Sequence, residues 1–221
     1  MRTIRALRIA AAIIAALPTI AAAQHGREFK DSWFWGVKAG GLTFADSSQS
    51  YRQAPMAGID WLITRSKGGL YVSAGQAFFH DKTVTFRDPS FPVDSGLREI
   101  RLKNLRRVDF AVMGFPGDYV RFHPYFGAGF SLASVADAQP SGPFANTTQL
   151  DFANQVASTQ KVQVGPMGIV GGQWRLKWAS AFGQLTISPA SKDFILYNGR
   201  PLNLTYEVGL RYNVGTSIDR Q

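Results

Sequence analysis

Leu202-Asn203-Leu204-Thr205-Tyr206-Glu207-Val208-Gly209-Leu210-Arg211-Tyr212-Asn213-Val214 alternates without a fault. The even-numbered residues are apolar or aromatic. The odd-numbered ones are polar, charged or glycine. Successive side chains of a strand point to opposite faces, so this run has one greasy face and one wet face. Its 13 residues exceed the roughly 5–6 of an ordinary strand. A strand tilted by about 45° needs roughly 9–11 residues to cross a bilayer. The fold turns on whether the greasy face meets a protein core or lipid.

The N-terminus bears on that choice. Arg2, Arg5 and Arg8 form a basic region, Ile9 to Ile20 an apolar one, and Ala21-Ala22-Ala23 precedes Gln24. This is the pattern of an exported chain with residues 1–23 as a cleaved signal peptide. A single domain over 24–221 is then expected. No later run of 18 apolar residues offers a transmembrane helix. With 0 cysteines, neither disulfides nor thiolate metal sites are available, so stability must come from a large core or a closed barrel. The net charge is +9, and without the three leader arginines 21 basic residues face 15 acidic ones, or +6. An exported chain has little use for nucleic acid. Anionic lipid headgroups such as lipopolysaccharide phosphates suit this charge better.

Eight strand-like stretches can be read, near 33–44, 54–65, 69–80, 97–114, 120–134, 159–173, 174–187 and 201–214. Ser66-Lys67-Gly68, Phe115-Pro116-Gly117-Asp118-Tyr119 and the chain around Gly171-Gly172-Gln173 read as tight turns. The other connections, Ala45–Gln53, Asp81–Gly96, Val135–Ser158 and Ser188–Arg200, are longer and rich in Pro, Ser, Asp, Asn and Gly. Short and long connections therefore alternate. The expectation is an all-β, eight-stranded antiparallel up-and-down transmembrane β-barrel, with short periplasmic turns on one rim and long external loops on the other.

Several details fit less simply. Residues 69–80 carry apolar residues on both faces beyond Ala74. The apolar parity of the first strand shifts to Leu42 and Phe44, which reads as a bulge at Gly40-Gly41. Pro166 lies inside a strand and cannot donate a ladder hydrogen bond. Trp33, Trp35, Tyr119, Phe122, Trp174 and Tyr212 fall near the short-turn rim, and Phe44, Phe78, Phe79 and Phe182 toward the long-loop rim. Two aromatic belts are expected where rings meet headgroups.

With the greasy face on lipid, Lys38, Asp60, Arg107, Asp109, His123, Arg175, Lys177, Glu207 and Arg211 point into the barrel. Interior charges must be paired or hydrated. Eight strands leave only enough width for side chains to fill. A salt-bridged plug with little or no conductance is the expectation, with a narrow anion-favouring pore as the alternative. In a soluble barrel binding an apolar ligand, the same charges would be the solvated outer face. No catalytic constellation emerges. His25 follows the cleavage site, and His80-Asp81 on the long-loop rim lacks a fixed nucleophile, although Ser47, Ser90 and Ser188 fall on that rim. Gly165-Pro166-Met167-Gly168-Ile169-Val170-Gly171-Gly172 lacks the Gly-Lys-Ser/Thr of a phosphate loop. No cofactor, metal or catalytic residue is assigned.

Trp35-Gly36-Val37-Lys38-Ala39-Gly40, Pro124-Tyr125-Phe126-Gly127-Ala128-Gly129 and Leu204 to Tyr212 resemble segments of the small outer-membrane β-barrel proteins, the group of OmpA-type transmembrane domains and opacity-like porins. The resemblance spans about residues 30–214. It implies an outer-membrane location, contact with outer-membrane lipids including lipopolysaccharide, insertion by the outer-membrane assembly machinery, and a monomer. Members often end on an aromatic assembly signal; here seven residues follow Val214, so the signal is either internal at Tyr212 or the route differs. A peptidoglycan-binding domain after the barrel is not expected. The expected role is structural or surface-interacting rather than enzymatic. A barrel enzyme acting on lipid A or phospholipid, with His80 in its site, is the alternative. Fold alone does not settle that choice.

Overall fold

The computed structural model describes residues 29–45, 51–79, 82–87, 97–117, 121–141, 144, 146–176, 179–197 and 202–217. Alternating segments become strands β1 (Ser32–Ala45), β2 (Tyr51–Thr64), β3 (Gly68–Ala77), β4 (Lys82–Arg87), β5 (Leu97–Gly114), β6 (Phe122–Ser141), β7 (Val162–Arg175), β8 (Ser180–Pro189) and β9 (Leu202–Thr216). All pairings are antiparallel, in the order β3-β2-β1-β9-β8-β7-β6-β5. Pairing of β3 with β5 from Gly68↔Gly114 to Ala77↔Leu105 closes the ring. The result is an eight-stranded, closed, all-antiparallel barrel. The short β4 pairs only with β5 above β3, from Lys82↔Leu102 to Arg87↔Leu97. It extends the β5–β6 hairpin past the barrel as a flange.

On the turn rim lie residues 65–67, 115–117, 121, 176 and 179. Arg65 N donates to Gly68 O at 2.7 Å, and Leu176 N to Ala179 O at 2.8 Å. The first and last described segments also meet on this rim, where Ser217 N donates to Asp31 O at 2.7 Å. The opposite rim carries the remaining connections. The first is shorter than expected, because β1 and β2 stay paired up to Ala45↔Tyr51. The segment 135–158 is not a plain loop. β6 continues to Ser141, and helix α1 (Thr147–Thr159) follows. Asn146 caps α1 by accepting the Gln149 amide at 2.9 Å. Its buried stripe is Gln149, Ala153, Val156 and Ala157. Two polar-looking turns around that narrow stripe hide it in the sequence. Among the described residues no helix is long and apolar enough to cross a membrane.

Three sequence expectations are corrected by packing. Gly40-Gly41 is not a bulge: the β1–β2 register runs unbroken through Gly40↔Met56 and Gly41↔Pro55. Phe34, Lys38, Leu42 and Phe44 all point inward. What changes along β1 is the interior, which turns from polar to apolar toward the long-loop rim. The same change explains residues 69–80, where Ala77 and Phe79 join the core. Second, Gly171-Gly172 is not a turn. Both residues lie inside β7, paired with Tyr125 and Pro124 of β6 and with Gln184 and Gly183 of β8. A Cβ on Gly171 would lie 2.8 Å from the Tyr125 ring, so close approach requires glycine there. Third, Phe44, Phe79 and Phe182 are buried inside the barrel, and Phe182 lies near the turn rim opposite Gln173. Of the expected upper belt, only Phe78 is exposed. Pro166 is accommodated beyond the end of the β7–β8 ladder, two residues past Gly168↔Ile187.

A turn at 171 would tolerate asparagine. The barrel predicts instead that Gly171→Asn destabilises the folded state by about 2 kcal/mol or more, because side-chain volume meets backbone and the Tyr125 ring. Equilibrium urea unfolding in lipid vesicles measures this.

Candidate functional site

Two surfaces can carry function, the barrel interior and its outer face. The interior is filled in three tiers. At the turn end, Phe34, Leu62, Tyr71, Met113, Phe115 and Tyr125 form an apolar cluster. Phe29, just before β1, tucks against it, with ring centroids 5.6 Å from Phe34 and 4.9 Å from Phe115. At the loop end a second cluster joins Leu42, Phe44, Phe79, Ile100 and Leu102 to Val156 of α1 and to Phe194, Ile195 and Leu196. Charges occupy the space between.

Three ion pairs hold that middle tier. Arg211 and Asp60 pair at 2.9 Å with both side chains 0% exposed. Lys38 Nζ meets Glu207 Oε1 at 2.8 Å, and Arg107 Nε meets Asp109 Oδ1 at 2.6 Å. Neutral groups join the pairs into one network. Lys38 Nζ donates to the Tyr71 hydroxyl and to Ser73 Oγ, which donates to Asp109 Oδ2 at 3.1 Å. Gln184 Nε2 donates to Glu207 Oε2 at 2.8 Å and to Tyr71 at 2.9 Å, and the Tyr125 hydroxyl donates to Gln184 Oε1. Arg107 Nη1 donates to Thr205 Oγ1 at 2.6 Å. The Arg211 guanidinium also donates to Gln173 Oε1 at 3.0 Å and lies 3.8 Å above the Phe182 ring. Each of these charges thus has an opposite charge, and Asp60 accepts three hydrogen bonds from its partner Arg211; such pairing is the condition for tolerating a charge away from water.

Of the sequence candidates, Lys38, Asp60, Arg107, Asp109, Glu207 and Arg211 are brought together here. His123 points inward but lies nearer the turn rim, its ring stacked on Phe29 at 3.9 Å between centroids. Arg175 ends β7 at the same rim, half-buried. Lys177 lies outside the described residues, as do His25, Ser47, His80, Asp81, Ser90, Tyr119 and the leader. Ser188 is not on a loop: it ends β8 facing inward. The neutral members Tyr71, Ser73, Tyr125, Gln173, Gln184 and Thr205 were missed. Tyr125, Gln173 and Thr205 share strand parity with His123, Arg175 and Glu207, a signal that could have found them; β3 and β8 carry no charged residue, so Tyr71, Ser73 and Gln184 have no such marker. The tyrosines look like lipid-facing aromatics, and Gln173 looks like part of a turn. Among the described residues, no group of three His, Asp or Glu side chains could hold a metal ion.

The outer face is the reverse image. Val37, Ile59, Leu70, Phe110, Val112, Phe126, Phe130, Val164, Val170, Leu185, Val208 and Leu210 are exposed hydrophobics from all eight barrel strands, with Val112 66% and Val164 68% accessible. Near the turn rim Trp33, Trp35 and Trp61 pack on one another, with centroids 5.4 and 5.1 Å apart, and Phe122 lies 6.0 Å from Trp174. Outward Tyr206 packs over Gly41 and donates to Gln53 at 3.2 Å.

No protein-family model matches this sequence, and no curated protein matches it. Solved structures do. Neisserial surface protein A is 11% identical with a TM-score of 0.52, over 81% of this chain and 96% of its own. OprG from Pseudomonas aeruginosa is 12% identical with a TM-score of 0.48, over 83% and 97%. The N-terminal β-barrel domain of OprF from Pseudomonas aeruginosa is 9% identical with a TM-score of 0.47, over 83% and 98%. The fold is that of small eight-stranded outer-membrane barrels.

Removing one partner of a fully buried pair leaves the other charge uncompensated. Asp60→Ala is expected to destabilise the barrel by roughly 3–5 kcal/mol. Asp60→Leu with Arg211→Met is expected to lose clearly less than the sum of the single changes. A double-mutant cycle by urea titration checks both.

Proposed function

We propose that this barrel sits in the outer membrane as a closed, non-enzymatic scaffold whose work is structural or done by its exposed loops. One observation carries the membrane half: a continuous belt of exposed apolar side chains on all eight strands, edged on β1 and β2 by a cluster of three tryptophans. A soluble protein rarely exposes apolar patches beyond a few hundred Å². Along β9 the outward residues Leu202 to Val214 span about 30 Å for a rise of about 3.3 Å per residue and a tilt near 40°. That exceeds the roughly 25 Å apolar band of an outer-membrane barrel.

The interior supports the closed half of the reading. An open pore needs a polar, hydrated path from rim to rim. Here apolar side chains stand above and below the charges, and the charges bind one another. This arrangement favours the plug over the anion-favouring pore. The alternative of a lipid-acting enzyme rests on His80, which lies outside the described residues.

Expressed in a Gram-negative host, the chain should fractionate with outer membranes and migrate differently before and after boiling in mild detergent. In planar bilayers it should give no conductance steps. Recovery as a soluble periplasmic monomer would overturn the membrane half. Reproducible anion-selective steps would overturn the plug.

A further inference from the structure

Two buried nitrogens without a hydrogen-bond partner sit on facing residues. They are His123 Nε2 and Gln173 Nε2. His123 of β6 and Gln173 of β7 are direct partners across the ladder. Both point into the barrel, 9% and 0% exposed. Opposed Cβ atoms on antiparallel strands stand about 4.5–5.5 Å apart, so the two side chains lie side by side. A buried donor left unpaired costs free energy and calls for an explanation, such as a bound water or ion.

The orientation of each group is fixed by its neighbours. Arg211 Nη1 donates to Gln173 Oε1 at 3.0 Å. A flipped amide would set donor against donor there. The amide N–H groups are thus turned away from the guanidinium. The His123 ring stacks on Phe29, with centroids 3.9 Å apart and planes within 7°, so it cannot swing aside without breaking that stack.

Charge selects between water and an ion. The three interior pairs set Lys38, Arg107 and Arg211 against Glu207, Asp109 and Asp60, and so cancel. Arg175 shares strand parity with Gln173, two residues nearer the rim, and its charge bears on the His123 ring. Arg175 N donates to Arg121 O at 2.7 Å, which keeps those two residues side by side. Lys30, Arg65, Lys67 and Arg121 are exposed around the same mouth. Against these cations Asp31 is the only carboxylate among the described residues of the turn rim. A cleft lined by one sign of charge with low-dielectric walls concentrates the opposite ion.

We infer that the turn-side mouth binds one small monovalent anion of the halide class, held between His123 Nε2 and Gln173 Nε2 beside Arg175. In this role His123 carries a proton on Nε2 and donates it, as the amide does. Sulfate or phosphate brings more charge and more acceptor atoms than two donors and one adjoining cation satisfy. The site is blind, because the apolar cluster of the turn end and the self-satisfied charge network stand beyond it. Anions are captured at the mouth and not passed through. The inference rests on the barrel fold and not on the membrane location.

The test titrates the folded full-length protein with sodium chloride against sodium gluconate at constant ionic strength, so that screening stays fixed. Excess broadening of the chloride NMR line reports halide held by the slowly tumbling protein. The wild type is expected to give saturable broadening. His123→Phe keeps the stack on Phe29 and removes one donor. Gln173→Glu keeps the acceptor for Arg211 and sets a like charge against the anion. Each folded variant is expected to bind chloride at least about tenfold more weakly. In crystals of the wild type, bromide located by its anomalous scattering should lie within hydrogen-bond reach of both nitrogens, which decides the site even where a variant does not fold. No saturable response in the wild type would mean that the two donors bind water only, and would overturn the inference. Unchanged affinity in the folded variants, or bromide found only elsewhere, would overturn it equally.

Discussion

Pairing of β3 with β5 over ten residues, Gly68↔Gly114 to Ala77↔Leu105, turns an open sheet into a ring, and every other feature depends on that closure. A strand edge in hydrocarbon would leave N–H and C=O groups unpaired, each costing several kcal/mol. In the ring each barrel strand has a ladder on both sides. Side chains are then the only groups left to distinguish lipid from lumen, and strand parity assigns each of them to one or the other. Glycines let the ring curve tightly. At Gly129 an added Cβ would collide with the Phe110 carbonyl, and at Gly209 with the Val37 carbonyl.

Closure creates a second constraint. An eight-stranded ring has no room for bulk water once side chains fill it. Charges placed inside must be satisfied by one another. The three ion pairs and their glutamine, serine and tyrosine partners do this at mid-height. Neither end needs to be polar, and both are sealed with hydrocarbon: Phe29, Phe34 and Phe115 at the turn end, α1 and Phe194–Leu196 at the loop end. Buried ion pairs are seldom a large net gain in stability. Their value here is in fixing which residues face inward, because slipping a strand by one residue would expose Arg211 or Asp60 to lipid.

Most of the barrel was legible in the sequence because period-two alternation survives wherever one face meets lipid. β9 reads identically in sequence and structure, and six of the nine interior candidates sit in one network. Legibility failed where the interior itself became apolar. At Leu42 and Phe44 the apolar parity switches to the inner face, and at Ala77, Phe78 and Phe79 both faces are greasy, so parity misleads. It failed again at Gly171-Gly172, where glycine serves close packing rather than a turn, and at α1, whose narrow buried stripe lies among Thr, Gln and Asn. Gln184 could be found only after its strand was placed, since β8 carries no charge to mark its inner face.

The central claim is that Leu204, Tyr206, Val208 and Leu210 face acyl chains while their odd-numbered neighbours do not. The chain contains 0 cysteines, so single cysteines introduced along 203–211 can each carry an environment-sensitive fluorophore. Quenching by brominated acyl chains in vesicles reads lipid contact directly. The account predicts quenching that alternates with period two, strong at positions 204, 206, 208 and 210 and weak at 205, 207, 209 and 211. Uniform quenching, none at all, or the opposite parity would contradict it.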